Sequence, residues 1–444
     1  MSVDKIKRVA WAGLGGFAAL MAATPALAAA APDPLNSGDT AWMITSSALV
    51  LLMTVPGLAL FYAGMVRKKN ILATAAQSFG ATCIITVLWM IVGYSVAFTT
   101  NANSQANQFI GSFNYFMLGP MGLKSINPLA GTIPESVYMF FQMTFAIITP
   151  ALIAGAIADR MKFSAFMWFM SLWLLLVYCP IAHWVWAGGW LGTLGALDYA
   201  GGTVVHLNAG TAGLVACLML GKRTGYGTEN MAPHNLLFAL IGASLLWVGW
   251  FGFNAGSAVT AGYNAGMAAA ATQIATAAAS LAWMTAEWIV NKKPSVLGMI
   301  SGAVAGLVAI TPASGFVNAQ GALWIGLAAG AVCYFSSVWV KKWLGYDDAL
   351  DTWGVHGVGG ALGAMMTGMF ASNAINSGSH GWLIDGNARQ MLIQFYDVAA
   401  VFVYCGIGTF IILKAIDLVI GLRVSRDVEV EGLDINLHGE TVHG

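Results

Sequence analysis

Two histidines sit in the same short pattern, 150 positions apart. Asp198-x7-His206-x3-Gly210-x2-Gly213 is matched by Asp348-x7-His356-x3-Gly360-x2-Gly363, and both histidines fall within strongly apolar sequence. A neutral imidazole has one N–H donor and one bare nitrogen, so two facing rings can bond in complementary tautomers. Such a pair can hold or relay a proton. A single intramembrane histidine is as readily a satisfied core residue; two in the same pattern point to a lined path. Asp198 has two readings. It can accept backbone N–H groups and the Thr203 hydroxyl, capping the helix that follows, or it can stabilise a cation or take part in proton transfer. The structural and electrostatic role is favoured, with Asp348 doing the matching work at the other side. Asp347 and Asp351 read as solvated or capping residues. The remaining histidines (His183, His234, His380, His438 and His443) fall at span ends, loops or the tail and receive no pore role.

Other chemistries find little support. No carboxylate or cysteine stands at ligand spacing beside either histidine, so no metal is expected. Cys83, Cys179, Cys217, Cys333 and Cys405 lie in apolar stretches without a pairing pattern and read as buried structural thiols. No His-Glu-x-x-His, Gly-x-Ser-x-Gly or phosphate-cradling loop occurs with the flanks it needs, so neither an enzyme nor a cofactor is expected.

The elements that must position these residues are membrane helices. The chain has 444 residues, 58% hydrophobic and 9% charged, with net charge zero. Soluble domains carry roughly 25% charged residues; this composition cannot cover a water-exposed surface and offers no basic face for nucleic acid. The apolar stretches are long enough to span a bilayer, and spanning backbone must be helical or form a closed barrel. These runs are too long and uniform for barrel strands. Spans are expected near 41–66, 71–98, 134–157, 163–182, 201–220, 235–254, 260–290, 295–312, 321–340, 353–371 and 395–422, eleven in all. Residues 1–28 read as a signal peptide: Lys5, Lys7 and Arg8, a short apolar core, then Ala26-Leu27-Ala28. Its removal would leave the N-terminus periplasmic. Arg67, Lys68 and Lys69, then Arg160 and Lys162, Lys222 and Arg223, Lys292 and Lys293, and Lys341 and Lys342 then all fall in cytoplasmic loops, as does the tail's Arg423 and Arg426. The opposite loops hold only Lys124 and Arg389.

The histidine pattern belongs to a larger repeat. Phe61-Tyr-Ala-Gly64 echoes Phe253-Asn-Ala-Gly256, and Ala146-Ile-Ile-Thr-Pro-Ala151 echoes Val308-Ala-Ile-Thr-Pro-Ala313. Each echo lies five spans from its partner. Five is odd, so the second unit is inverted relative to the first, a common construction among transporters. The glycines four and seven residues after each histidine keep one helix face small and let helices approach closely. The units are about 41–220 and 235–371 within a domain over 41–422, with an additional eleventh helix near 395–422 and a cytoplasmic tail over 423–444.

At this point the chain resembles the ammonium transporter (Amt/Mep/Rh) family, in its bacterial Amt branch. The resemblance rests on Asp198-Tyr-Ala-Gly-Gly-Thr-Val-Val-His206-Leu-Asn, Trp250-Phe-Gly-Phe-Asn-Ala-Gly-Ser257, Trp353-Gly-Val-His356-Gly-Val, Ala158-Asp-Arg-Met-Lys-Phe163 and the tail's Glu431-Gly-Leu-Asp434 and His438-Gly-Glu440. It implies an eleven-helix protomer, usually in a homotrimer, with one pore per protomer in the inner membrane. It further implies recruitment of the cation by Phe141, Trp186 and Ser257, a gate of Phe145 and Phe253, and a pore lined by His206 and His356. Aromatic faces and a hydroxyl acceptor suit ammonium, a small cation with four N–H donors. Read without the resemblance, Trp186 is equally an interfacial tryptophan and the phenylalanines ordinary helix packing.

The expected activity is uptake of ammonium, with methylammonium as an analogue. Losing a proton at the entrance removes the charge that makes an apolar constriction costly, and ammonia crosses with or without separate proton transfer. The alternatives are an ammonium sensor of the same architecture and a cation-coupled solute symporter. Transport is favoured over sensing because only about 20 residues follow the last span. The acidic tail resembles tails that meet a PII-type signal protein.

Overall fold

Each stretch marked as a span is helical in the computed structural model, which describes residues 35–442. The helices are α1 (Ser37–Met65), α2 (Lys68–Phe98), α3 (Glu135–Ile157), α4 (Phe163–Leu194), α5 (Gly202–Leu220), α6 (Leu236–Gly256), α7 (Tyr263–Asn291), α8 (Val296–Ile310), α9 (Ala319–Leu344), α10 (353–370) and α11 (Arg389–Ile420). Among the described residues, nine are long and apolar enough to cross a membrane; α8 is shorter, and α10 is not among the nine. The only β pairing among the described residues is an isolated bridge between Met161 and Arg423. The signal peptide expected over 1–28 lies outside the described residues.

Side-chain caps fix several helix starts. Asn36, Asn235, Ser295 and Asn318 each accept a first-turn N–H, satisfying donors that have no intrahelical partner. Proline interrupts α1 at Pro56, but there the backbone widens into a π turn over Met53–Leu58.

The fourth helix differs from its expected end at 182. It continues through His183 and Trp186 and, after a short break, through Trp190–Leu194. His183 looked like an end because it is polar. It is fully buried, with ring nitrogens 2.8 Å from the Ala97 carbonyl and 2.7 Å from the Asn107 carbonyl.

At the centre α5 packs on α10, and the crossing is reciprocal. A Cβ on Gly210 would strike the Gly357 backbone, and one on Gly360 would lie 2.6 Å from the Gly202 carbonyl and 2.8 Å from the Leu207 nitrogen. Each glycine sits four residues after its own histidine and faces the backbone beside the other. The bundle perimeter carries exposed Phe79, Leu237, Leu418 and Val419; such apolar surface suits acyl chains and not water.

One end of the bundle is closed by buried charge. Asp159 accepts from Arg67 at 2.9 Å, from Asn70, and from Arg223 at 3.5 Å. Asp347, read from sequence as solvated or capping, is instead buried; Arg223 donates to it from its backbone nitrogen at 2.7 Å and from its guanidinium at 2.8 Å. Burial alone would raise that carboxyl, but the Arg223 hydrogen bonds and charge hold it below the ordinary carboxylate range. The tail packs against the same end. Its short helix α12 (Arg426–Glu431) buries Glu429, which accepts from Arg423 at 2.7 Å and Thr224 N–H at 2.6 Å. Asp434 accepts the Ala73 N–H at 2.8 Å, and Leu433 donates to Asn70 at 2.8 Å.

Candidate functional site

Both histidines sit on locally widened helix. His206 lies in a π turn over Gly202–Leu207 that opens α5, and His356 in one over Trp353–Gly357 that opens α10. Such turns re-aim side chains that a regular helix would bury against its neighbours. With the α5–α10 crossing, they bring the two Nδ1 atoms to 3.2 Å, ring centroids 5.4 Å apart and planes 20° from parallel. One ring donates and the other accepts, so the tautomers are complementary. Nε2 of His206 is buried without a partner.

The turn at His206 is built by Asp198. Its Oδ1 accepts from Gly201 N at 2.9 Å and Gly202 N at 2.6 Å; its Oδ2 accepts from Thr203 N at 2.9 Å, Thr203 Oγ1 at 2.7 Å and Val204 N at 3.0 Å. Gly201 has φ 109°, a left-handed conformation that glycine adopts freely. With five donors on two oxygens, this carboxylate is spent on the start of α5 and on its positive dipole end. Asp348 is less engaged: Oδ2 accepts the Trp353 N–H at 2.7 Å, while Oδ1 is buried without a partner. Burial, with Asp351 nearby, pushes the Asp348 carboxyl up to about 6.

Aromatic rings lead outward from His206. Phe253 lies 5.9 Å away, Phe145 stacks on Phe253 at 4.2 Å and 24°, and Trp186 and Phe141 approach Phe145 edge-on at 5.8 and 4.9 Å. Beyond the stack opens a cavity of about 170 Å³ whose walls include Phe141, Phe145, Trp186, Tyr199 and Ser257. Trp186 is held by its Nε1 donating to the Asp198 carbonyl at 2.8 Å. Ser257 donates its hydroxyl to the Phe253 carbonyl at 2.9 Å, leaving oxygen lone pairs for a ligand N–H. On the far side, His356 lines a second cavity of about 130 Å³, with Tyr62, Leu350 and Asp351. The stacked phenyl rings and the histidine pair lie between the two cavities.

Seven of the nine residues singled out from sequence fall along this line or on the wall of its cavity, while Asp198 and Asp348 engage the starts of the helices that carry the histidines. The reading missed Trp250. Its ring stacks on His206 at 5.2 Å, and its Nε1 donates to Thr311 Oγ1 at 2.9 Å. The available signal was its place three residues before Phe253, on the same face of α6.

Comparison with known proteins gives the same answer over most of the chain. The model of the Ammonium Transporter Family matches residues 41–443. The chain belongs to the ammonium transporter family. An ammonium transporter of Bacillus subtilis is 47% identical over 409 residues, 92% of this chain and 99% of that one. One from Aquifex aeolicus is 49% identical over 430 residues, 97% of this chain and 99% of its own length. Among solved structures, Saccharomyces cerevisiae Mep2 aligns with a TM-score of 0.82 at 36% identity, covering 88% of each chain. A structure titled Sensor Amt Protein aligns with a TM-score of 0.82 at 28% identity, over 90% of this chain and 98% of that one. In this family member the all-helical membrane fold expected from the sequence is present among the described residues, and the two histidines are paired and buried within it.

Proposed function

We propose that the protein takes up ammonium across the inner membrane by stripping the cation of a proton and passing ammonia between the two histidines. The observation that carries this reading is the unbroken aromatic-to-imidazole line between two separate cavities. Trp186 and Phe141 offer π faces to a cation and Ser257 offers an acceptor. Phe145 and Phe253 close the way behind them, so a hydrated ion would have to shed its water there, at a cost of many kcal/mol. Deprotonation, with the proton left to the water of the outer cavity or passed separately along the histidine pair, removes that cost for ammonium and not for potassium. His206 and His356 form a neutral hydrogen-bonded pair that receives ammonia and can carry a proton separately. Asp198 acts through structure and field, not as a ligand.

In the proposed arrangement all eleven helices cross, the outer cavity is periplasmic, and the Arg- and Lys-bearing loops and tail are cytoplasmic. Residues 1–28 serve as a cleaved signal peptide, the assembly is a homotrimer, and a PII-type protein contacts the cytoplasmic face. A sensing role is the second reading, favoured by the likeness to the structure titled Sensor Amt Protein. Reconstitution into proteoliposomes separates them: ammonium- and methylammonium-driven currents or internal pH changes, absent with potassium and amino acids, support transport. No flux of either substrate would leave the sensor.

A further inference from the structure

We infer that Gln394, on the helix outside the repeat, is a positioning residue for the outer cavity, setting the place of Trp186 through the backbone that precedes Asp198. Gln394 is fully buried in α11 and grips Leu197 from both sides. Its Oε1 accepts the Leu197 N–H at 2.8 Å, and its Nε2 donates to the Leu197 carbonyl at 2.9 Å. The same Nε2 reaches the Ala364 carbonyl of α10 at 3.1 Å. One turn earlier, Gln390 donates to the Gly195 carbonyl at 2.9 Å and to Gln394 Oε1 at 3.1 Å. The next residue after Leu197 is Asp198, whose carbonyl anchors the Trp186 indole and whose carboxylate builds the turn at His206. One amide thus ties together α10, α11 and the loop that places both the cavity wall and the first histidine.

The repeat makes this grip informative. The corresponding loop before His356 is held by charge: Arg160 donates to the Asp347 carbonyl at 2.6 Å, and Arg223 pairs with the Asp347 carboxylate at 2.8 Å. Two loops related by the inverted repeat are therefore fixed by different means. The outer one uses a neutral clamp contributed by an element with no counterpart in the repeat. The amide adds no charge of its own to a loop that already carries the Asp198 carboxylate, so it fixes the loop without altering the field that this carboxylate sets.

This inference rests on the reading of the outer cavity as the recruitment site, and the experiment keeps the two apart. Full-length protein in proteoliposomes is assayed for uptake against methylammonium concentration. Gln394→Met keeps the volume and removes the amide; it is expected to raise the half-saturation concentration about tenfold while the maximal rate stays within about twofold. Adding Gln394→Met to Trp186→Leu is expected to raise it no further than Trp186→Leu alone, because both changes act on one wall. A normal half-saturation in Gln394→Met, with the expected rise in Trp186→Leu, overturns the clamp and leaves recruitment standing. No rise in Trp186→Leu overturns recruitment itself. Should Gln394→Met fail to assemble, Gln390→Leu decides: a rise of about threefold supports the clamp, and an unchanged value overturns it.

Discussion

At the scale of single residues, two groups carry sharp consequences. Replacing both His206 and His356 with Ala removes the hydrogen-bonded imidazole pair; ammonium-selective uptake is expected to vanish, and retained selectivity over potassium in liposome currents would refute the relay. Asp348 makes a stability prediction with a definite sign. Its carboxyl lies near 6, above the ordinary 3.8, because burial disfavours the charge. The folded state therefore binds this proton more tightly than the unfolded chain. The resulting contribution is full below about pH 4, falls as pH rises toward about 6, and stays low above it. Asp348→Asn is expected to raise the thermal midpoint in detergent at pH 7.5, by an effect on the order of 3 kcal/mol at most, and to leave it unchanged near pH 4. A gain of equal size at both pH values would contradict the assignment.

At the scale of elements, the α5–α10 crossing is the part most open to a direct test. Gly360 leaves no room for a Cβ between the Gly202 carbonyl and Leu207, whereas Gly131 has nothing within 4 Å of where its Cβ would lie. Gly360→Ala is expected to cost about 1–3 kcal/mol and to separate the histidines, while Gly131→Ala should stay within about 0.5 kcal/mol. Thermal midpoints and uptake rates of the two variants check this, and equal behaviour would mean that the crossing tolerates separation. This crossing was legible in the sequence because glycine spacing after each histidine is local and repeated. Trp250, Gln390 and Gln394 were not legible. Their partners are Thr311, Gly195 and Leu197, distant in the chain, and an apolar stretch does not announce which of its polar side chains will meet a carbonyl. The length of α4 was missed for a related reason: His183 reads as polar until the carbonyls of Ala97 and Asn107 are placed beside it.

At the scale of the whole molecule, the tail is part of the fold. Glu429 accepts from Arg423 and Thr224, and Asp434 accepts from Ala73, so the last described segment bridges the ends of α2, α5 and α11. Glu429→Ala removes the acceptors of Arg423 and Thr224, leaving Asp434 in place, and is expected to cost about 2 kcal/mol locally, seen as cleavage within 425–440 accelerated several-fold in limited proteolysis. Unchanged cleavage would mean that the remaining contacts hold the segment by themselves. Composition announced the acidity of this tail but not its burial, because Asn70 and Thr224 became partners only once the bundle closed.

The stacked rings of Phe145 and Phe253 have a further consequence for the membrane that contains them. With centroids 4.2 Å apart they close the direct way between the two cavities. A conduit shut in this way is expected to insulate whenever no substrate occupies it, so that the protein adds no leak to the proton-motive force between transport events.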